Sequence, residues 1–487
     1  MVASSWTAGK PGVVGGRILR QMPFGLLLCL ALLSNLFVTG GHDRQRLLGV
    51  AVLAAAALAA ILMRQRPSLF AAQAAKPLAV FFLLGILGSV RAFSPGYALF
   101  EVVIFFLLYL FAQLIAAEIG GAGSAGLLVP VRAMAIVCAG CALQFWVAYG
   151  AGFALGIPLD FGDFALPFAN IRFFNHMQTA TLPLLILLCC VTPATSRLRW
   201  LWWPLTAYWW MAIFATSGRG TLLGMAAAGI AVAALRRRPG RAYLKAAALS
   251  MLGGLLMYFV FLVAIPVLAG GVPFGAFSDS VARTMADPAS RREVLWQRAI
   301  ELIVRHPWMG VGPMHFAHNA GDLHTGAHPH DWVLQIAAEW GIPALLCLCA
   351  ALALAMRALL RAGSRLAVQD TLNQAICSAL VAGSAAILAD GLVSGLFVMP
   401  QSQLAIALFL GCAIGWCRAQ AGAPQAAPVT GMRRAGGAIL IAAAAVCLLA
   451  AVLPDAAARY TGQDYTAHQQ ALNGGTTWPR LWRLGYF

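Results

Sequence analysis

The chain has 487 residues, 61% of them hydrophobic and 10% charged, and its mean hydropathy is +0.80. Soluble globular domains carry about 25% charged residues, so a soluble enzyme, a disordered chain and a disulfide-knit secreted scaffold are all excluded. The 33 Lys+Arg against 16 Asp+Glu leave a net charge of +17, which in so apolar a chain poses a question of membrane topology before one of nucleic acid.

Apolar runs near the length of a membrane-crossing helix, about 18 residues, recur at 22–39, 47–63, 77–92, 97–116, 131–152, 178–194, 199–216, 220–235, 243–268, 332–357, 375–397, 402–417 and 436–453. The predicted fold class is an all-α polytopic membrane protein with 12–13 transmembrane helices, since the period-2 alternation of a β-barrel is absent. The first run follows Lys10, Arg17 and Arg20 like a signal peptide. With so many spans behind it, it reads as an uncleaved first helix. The 11 cysteines fall in or beside apolar runs, with neither zinc-site spacing nor a disulfide framework.

Placing the N-terminus in the cytoplasm puts Arg236, Arg237, Arg238, Arg241 and Lys245 inside, together with Arg357, Arg361, Arg365, Arg433 and Arg434. That satisfies the positive-inside rule. The hydrophilic segment 269–331, the loop 153–177 and the turn Ser217-Gly218-Arg219-Gly220 then face the periplasm. No P-loop, Rossmann signature or internal repeat occurs, which speaks against nucleotide chemistry.

Some periplasmic arginines oppose the topological rule. Arg219 sits in a glycine-flanked turn where a ligand could approach closely, although anchoring a helix end would also account for it. Arg172, in Asn170-Ile171-Arg172-Phe173-Phe174-Asn175-His176, is another such outlier. Residues 290–305 read as one amphipathic helix with a Ser290/Glu293 capping box and Pro307 beyond its end. Arg292, Leu295, Trp296, Ala299 and Ile303 fall within roughly 60° of one another on it, and Arg291, Arg298 and Arg305 form a second stripe about 100° away. The second stripe reads as a solvated face. Arg292, on the apolar stripe, needs an anionic partner.

His315, His318, His324, His328 and His330 cluster with Asp322 and Asp331, but their irregular spacing predicts no metal site. His330 stands apart, at the mouth of a span and fixed on a rigid element. A neutral imidazole with a pKa near 6.5 suits it to take a proton from a hydroxyl, with activity declining on acidification through that value. Glu339, nine residues on, faces the other way. Inside the spans the charges are few, chiefly Glu101 and Asp390, and Asp390 requires a partner, an arginine of this group or a helix-packing hydrogen bond.

The segment His330-Asp331-Trp332-Val333-Leu334-Gln335-Ile336-Ala337-Ala338-Glu339-Trp340-Gly341 resembles the signature of the O-antigen ligase/polymerase superfamily, with Asp331 where Asn, Ser or Gln is usual. Ser217-Gly218-Arg219-Gly220 resembles its Ser-Arg-Gly turn with one extra glycine. Arg292-x-x-x-Trp296, followed by His306-Pro307-Trp308-Met309-Gly310-Val311-Gly312-Pro313, resembles its loop helix and the turn after it. The likeness is specific over 217–345. It implies a GT-C-like membrane fold in the bacterial inner membrane and no cofactor or nucleotide sugar. The implied donor is an undecaprenyl-diphosphate-linked O-antigen and the acceptor a hydroxyl of lipid A–core oligosaccharide, met at the periplasmic face among membrane lipids, with no nucleic acid involved. Under that resemblance His330 is the catalytic base and Arg219 shares the catalytic role. Arg219, Arg292, Arg172 and Arg291 bind the diphosphate, and Asp390 and Asp331 support the site.

The expected organisation is N-terminal transmembrane helices over 1–216, the signature region over 217–345 with the loop 269–331, C-terminal helices over 346–453, and a short tail over 454–487. That tail leans away from the sister protein O-oligosaccharyltransferases, which often carry a large domain there. An O-antigen polymerase shares every motif. A transporter would show inverted repeats and midplane ion pairs, which the sequence lacks.

Overall fold

A computed structural model describes residues 23–34, 36, 41–63, 69–70, 72–157, 159–274, 292–323, 326–422, 431–461 and 480–482. These residues form an all-α polytopic membrane protein, with no strand among them. The helices are α1 (Pro23–Ser34), α2 (His42–Leu62), α3 (Ala75–Arg91), α4 (Pro95–Leu155), α5 (Ile171–Val191), α6 (Arg199–Ala215), α7 (Arg219–Arg236) and α8 (Arg241–Met257), the last running on through the π-helical stretch Tyr258–Ala264. They continue with α9 (Arg292–Arg305), α10 (Trp332–Trp340), α11 (Ile342–Ser364), α12 (Thr371–Asp390), α13 (Pro400–Gln420) and α14 (Gly431–Thr461).

Every expected span falls on a helix. Among the described residues eight helical stretches are long and apolar enough to cross a membrane. Two of them, of 61 and 50 residues, each join two expected spans. A straight helix of 61 residues would be about 90 Å long, three times the roughly 30 Å hydrocarbon core. Gly123, at φ 71° and ψ −167°, breaks it. Pro23–Ser34, Ala75–Arg91 and Arg199–Ala215, with 12, 17 and 17 residues, are apolar but short. The expected single helix 332–357 is broken too, at Gly341 (φ 87°), which separates α10 from α11.

The apolar spans most enclosed by protein are those of α4 and α5. In α5 89% of the most apolar window is enclosed by protein, against 11% of the most apolar window within the stretch from Arg219 to Leu268. α4 packs on α13, α12 on both α5 and α7, and α6 on α8. The enclosed helix α5 nevertheless carries Asn175, His176, Gln178, Thr179 and Thr181, all buried. Polar groups so placed in a membrane helix are costly unless they are paired or used. A second, smaller core joins α9 to α10 and to the helical turn Phe316–Asn319 through Leu295, Ala299, Leu302, Phe316, Ala320 and Ala338. It fastens the polar loop region to the bundle.

Candidate active site

The site begins where α5, α6 and α7 meet. Asn170 caps α5 by accepting the Arg172 N–H at 2.8 Å. The Arg172 guanidinium donates to the carbonyls of Thr216 (3.2 Å) and Ser217 (2.9 Å), at the negative end of the α6 dipole. Ser217 adopts φ 53°, and the Arg219 N–H donates to the Ser217 carbonyl at 2.8 Å, so that α7 starts at Arg219. The Asn175 Nδ2 donates to Thr216 Oγ1 at 2.8 Å. Arg172 is therefore engaged in fastening the turn that carries Arg219.

One residue further, a Cβ on Gly220 would come within 2.3 Å of Asp390 Oδ1, so only glycine lets α7 lie this close to the end of α12. The other Asp390 oxygen accepts from Thr179 Oγ1, which contacts Thr221 Oγ1 at 2.8 Å. The helix-packing hydrogen bond weighed for Asp390 is thus present. Three polar atoms on this side of α5 and α12, Asn175 Oδ1, His176 Nδ1 and Asp390 Oδ1, are buried without a hydrogen-bond partner. Such atoms cost free energy unless a ligand or water satisfies them.

Helix α9 closes the site from the loop region. Trp296 donates its indole N–H to the Pro329 carbonyl at 3.1 Å, tying the helix to His328-Pro329-His330. Arg292, one turn earlier on the same face, interacts electrostatically with His176, His328, His330 and Asp390. His330 has φ 58°, a left-handed conformation that costs a non-glycine residue of order 1–3 kcal/mol. Its neighbours hold it there. Asp331 is the N-cap of α10, accepting from Val333 and Leu334 at 2.8 and 3.0 Å. The Trp332 N–H donates to the Gly391 carbonyl at 3.1 Å, next to Asp390.

The His328 and His330 rings lie 4.0 Å apart. Burial, then the neighbouring Arg292 and His176, push the His330 imidazole from its usual 6.5 down to about 3, and burial lowers His328 as well. This corrects the expectation of a titration near 6.5. His330 is neutral, with a lone pair available, throughout the physiological range.

The remaining expectations sort by environment. Arg298 is not simply solvated: it makes a two-pronged ion pair with Asp322, at 3.0 and 2.9 Å. Arg305 is exposed. Arg291, Ser290 and His324 lie outside the described residues. His315 accepts the Ser94 N–H at 2.8 Å and contacts the Pro313 carbonyl at 2.8 Å, and His318 stacks on Phe93, so both organise the loop. In the turn after α9, a Cβ on Gly310 would meet the Glu339 carbonyl carbon at 2.3 Å, which explains the glycine: the turn runs against the backbone of α10. Among the described residues no group of three His, Cys, Asp or Glu side chains could hold a metal ion.

Residues 204–349 match the family model for O-antigen ligases. This stretch resembles an O-antigen ligase domain. No curated protein matches the chain. The domain contains Arg219, Arg292, Trp296, His328 and His330, whereas Arg172, Asn175, His176 and Asp390 come from outside it, on α5 and α12. Enzymes of that family are glycosyltransferase-like members of the O-antigen ligase/polymerase superfamily.

Sequence reasoning overlooked His176, Asn175 and His328 as members of the site. The signal for the first two was present: consecutive polar residues, Asn175 and His176, in the polar first half of a helix whose second half is apolar. His328 stood only as one histidine among several, and nothing in its spacing distinguished it.

Proposed function

We propose that the protein is an O-antigen ligase that transfers a glycan from undecaprenyl diphosphate to a hydroxyl of lipid A–core oligosaccharide at the periplasmic face of the bacterial inner membrane. The observation that carries this reading is the juxtaposition of Arg292 and the neutral His330 with three buried, unpartnered polar atoms, at the turn that carries Arg219. Cations and unsatisfied polar groups around a neutral base suit a substrate that combines a diphosphate with a hydroxyl.

In this reaction His330 takes the proton of the acceptor hydroxyl as its oxygen attacks the anomeric carbon. The bond from that carbon to the diphosphate oxygen breaks, configuration inverts, and the electron pair leaves with the diphosphate. Arg219 and Arg292 present guanidinium forks to the developing charge, in surroundings where such interactions are strong. The depressed His330 pKa matches this order of events: the nearby positive charge keeps the base neutral until the anionic donor arrives, and the donor then offsets that charge and makes proton uptake more favourable. Arg172 holds the Arg219 turn, and Asp331 caps the helix that aims His330. Asp390, beside Gly220 and within the field of Arg292, supports the same end of the site.

The test is lipopolysaccharide from a deletion strain, separated on a gel and complemented with His330→Ala. Loss of the O-antigen ladder with carrier-linked polymer accumulating, not rescued by the variant, is the expected result. A ladder collapsed to single-repeat length would instead identify a polymerase, and an unchanged ladder would remove the chain from this chemistry.

A further inference from the structure

The short segment Arg480–Trp482 lies not at the surface but inside the bundle. Arg480 is 2% exposed, and its Nη2 donates to Glu101 Oε1 at 2.7 Å and to Glu339 Oε2 and Oε1 at 2.7 and 3.0 Å. With the Gln335 amide turned to its satisfied orientation, its oxygen accepts from both terminal nitrogens of Arg480 at 3.0 Å. Gln335 and Glu339 are one turn apart on α10, so the guanidinium grips one face of that helix. Glu339 also accepts the Phe316 N–H at 2.9 Å. The segment is itself anchored twice. Arg46 of α2 donates to the carbonyls of Arg480 and Leu481, both at 3.3 Å, and the Trp482 indole donates to Asp455 of α14 at 2.8 Å. Two guanidiniums and two carboxylates balance the charge of the cluster.

A buried ion pair is a poor way to gain stability, because desolvation offsets most of the attraction. It is a good way to fix geometry, since the planar fork accepts few arrangements. The helix it grips has only nine residues and carries His330 immediately before its N-cap. Arg480 is also close enough to contribute to the electrostatic environment of His328.

We propose that Arg480 is a positioning residue that clamps α10, through Glu339 and Gln335, and so holds His330 in place against Arg292. The assignment of a reaction to His330 rests on the function proposed above; the clamp itself does not. Arg480→Met alone leaves Glu339 buried and unpaired and can fail to fold. The informative variant is therefore the full-length double replacement Arg480→Met/Glu339→Gln, which leaves the Arg46 and Glu101 charges to balance each other.

Hydrogen–deuterium exchange should show faster exchange across 332–340 in this variant while its melting temperature stays near that of wild type. Glycan transfer should show kcat reduced by about 10- to 100-fold, the scale of a misplaced catalytic group, with the donor KM nearly unchanged. Unchanged exchange in 332–340 would overturn the clamp. Faster exchange with wild-type kcat would overturn its link to His330. A wild-type protein that transfers no glycan would refute the proposed reaction, and the exchange experiment would still decide the clamp.

Discussion

In the proposed reaction the surroundings of His330 set the pH dependence. With its imidazole lowered to about 3 by burial, Arg292 and His176, the fraction protonated at pH 5.5 is only about 0.3%, against about 90% for an unperturbed imidazole at 6.5. The kcat/KM for donor, which reports ionisations of the free enzyme, should therefore stay flat between pH 7.5 and 5.5. An unperturbed histidine base would instead lose about tenfold over the same window. Stability should behave in the opposite manner. The folded value lies below the unfolded one, so as pH falls below about 6.5 the unfolded chain takes up the proton and the folded chain does not. Between pH 7.5 and 5.5 this removes about 1.4 kcal/mol for His330. The assay is initial-rate transfer with a lipid-linked donor, paired with melting curves in the same buffers. A tenfold fall in kcat/KM centred near 6.5, with no loss of stability, would refute a His330 held neutral by its surroundings.

Three further outcomes are expected. Arg292→Lys keeps the charge but loses the fork, and should lower kcat/KM roughly 30-fold, equivalent to about 2 kcal/mol for a charge-assisted hydrogen bond; a near wild-type rate would show that charge alone suffices, and Arg305→Ala on the exposed stripe should change little. Trp296→Phe removes the bond to the Pro329 carbonyl at a cost of about 1 kcal/mol. It should loosen the His328–His330 loop and lower kcat more than KM, and an unaltered kcat would show that α9 does not hold this loop. Purified protein should transfer glycan in the presence of EDTA, because guanidiniums meet the diphosphate charge; activity abolished by EDTA and restored by Mg²⁺ or Mn²⁺ would revive a metal at the histidine loop.

Hydrophobic run length and charge scarcity determined the all-α membrane fold and the position of each helix, because these are local properties that a bilayer reads directly. Periodicity on α9 separates Arg292 from Arg298 and Arg305, and puts Trp296 on the same face as Arg292. The breaks at Gly123 and Gly341 were less legible, since a glycine inside an apolar run reads equally well as a packing contact or a kink. What only the tertiary structure decided concerns pairs with no fixed sequence separation. Glu101 stood out as a charge within a span, yet its partner Arg480 is 379 residues away. His176 and His328 joined the site only because α5 and the loop before α10 meet around Arg292. The His330 pKa, too, depended on the burial and the positive neighbours that assembly brings to it. Solvation and charge act through space, so the sequence could name the ionisable groups but not the environment that sets their protonation.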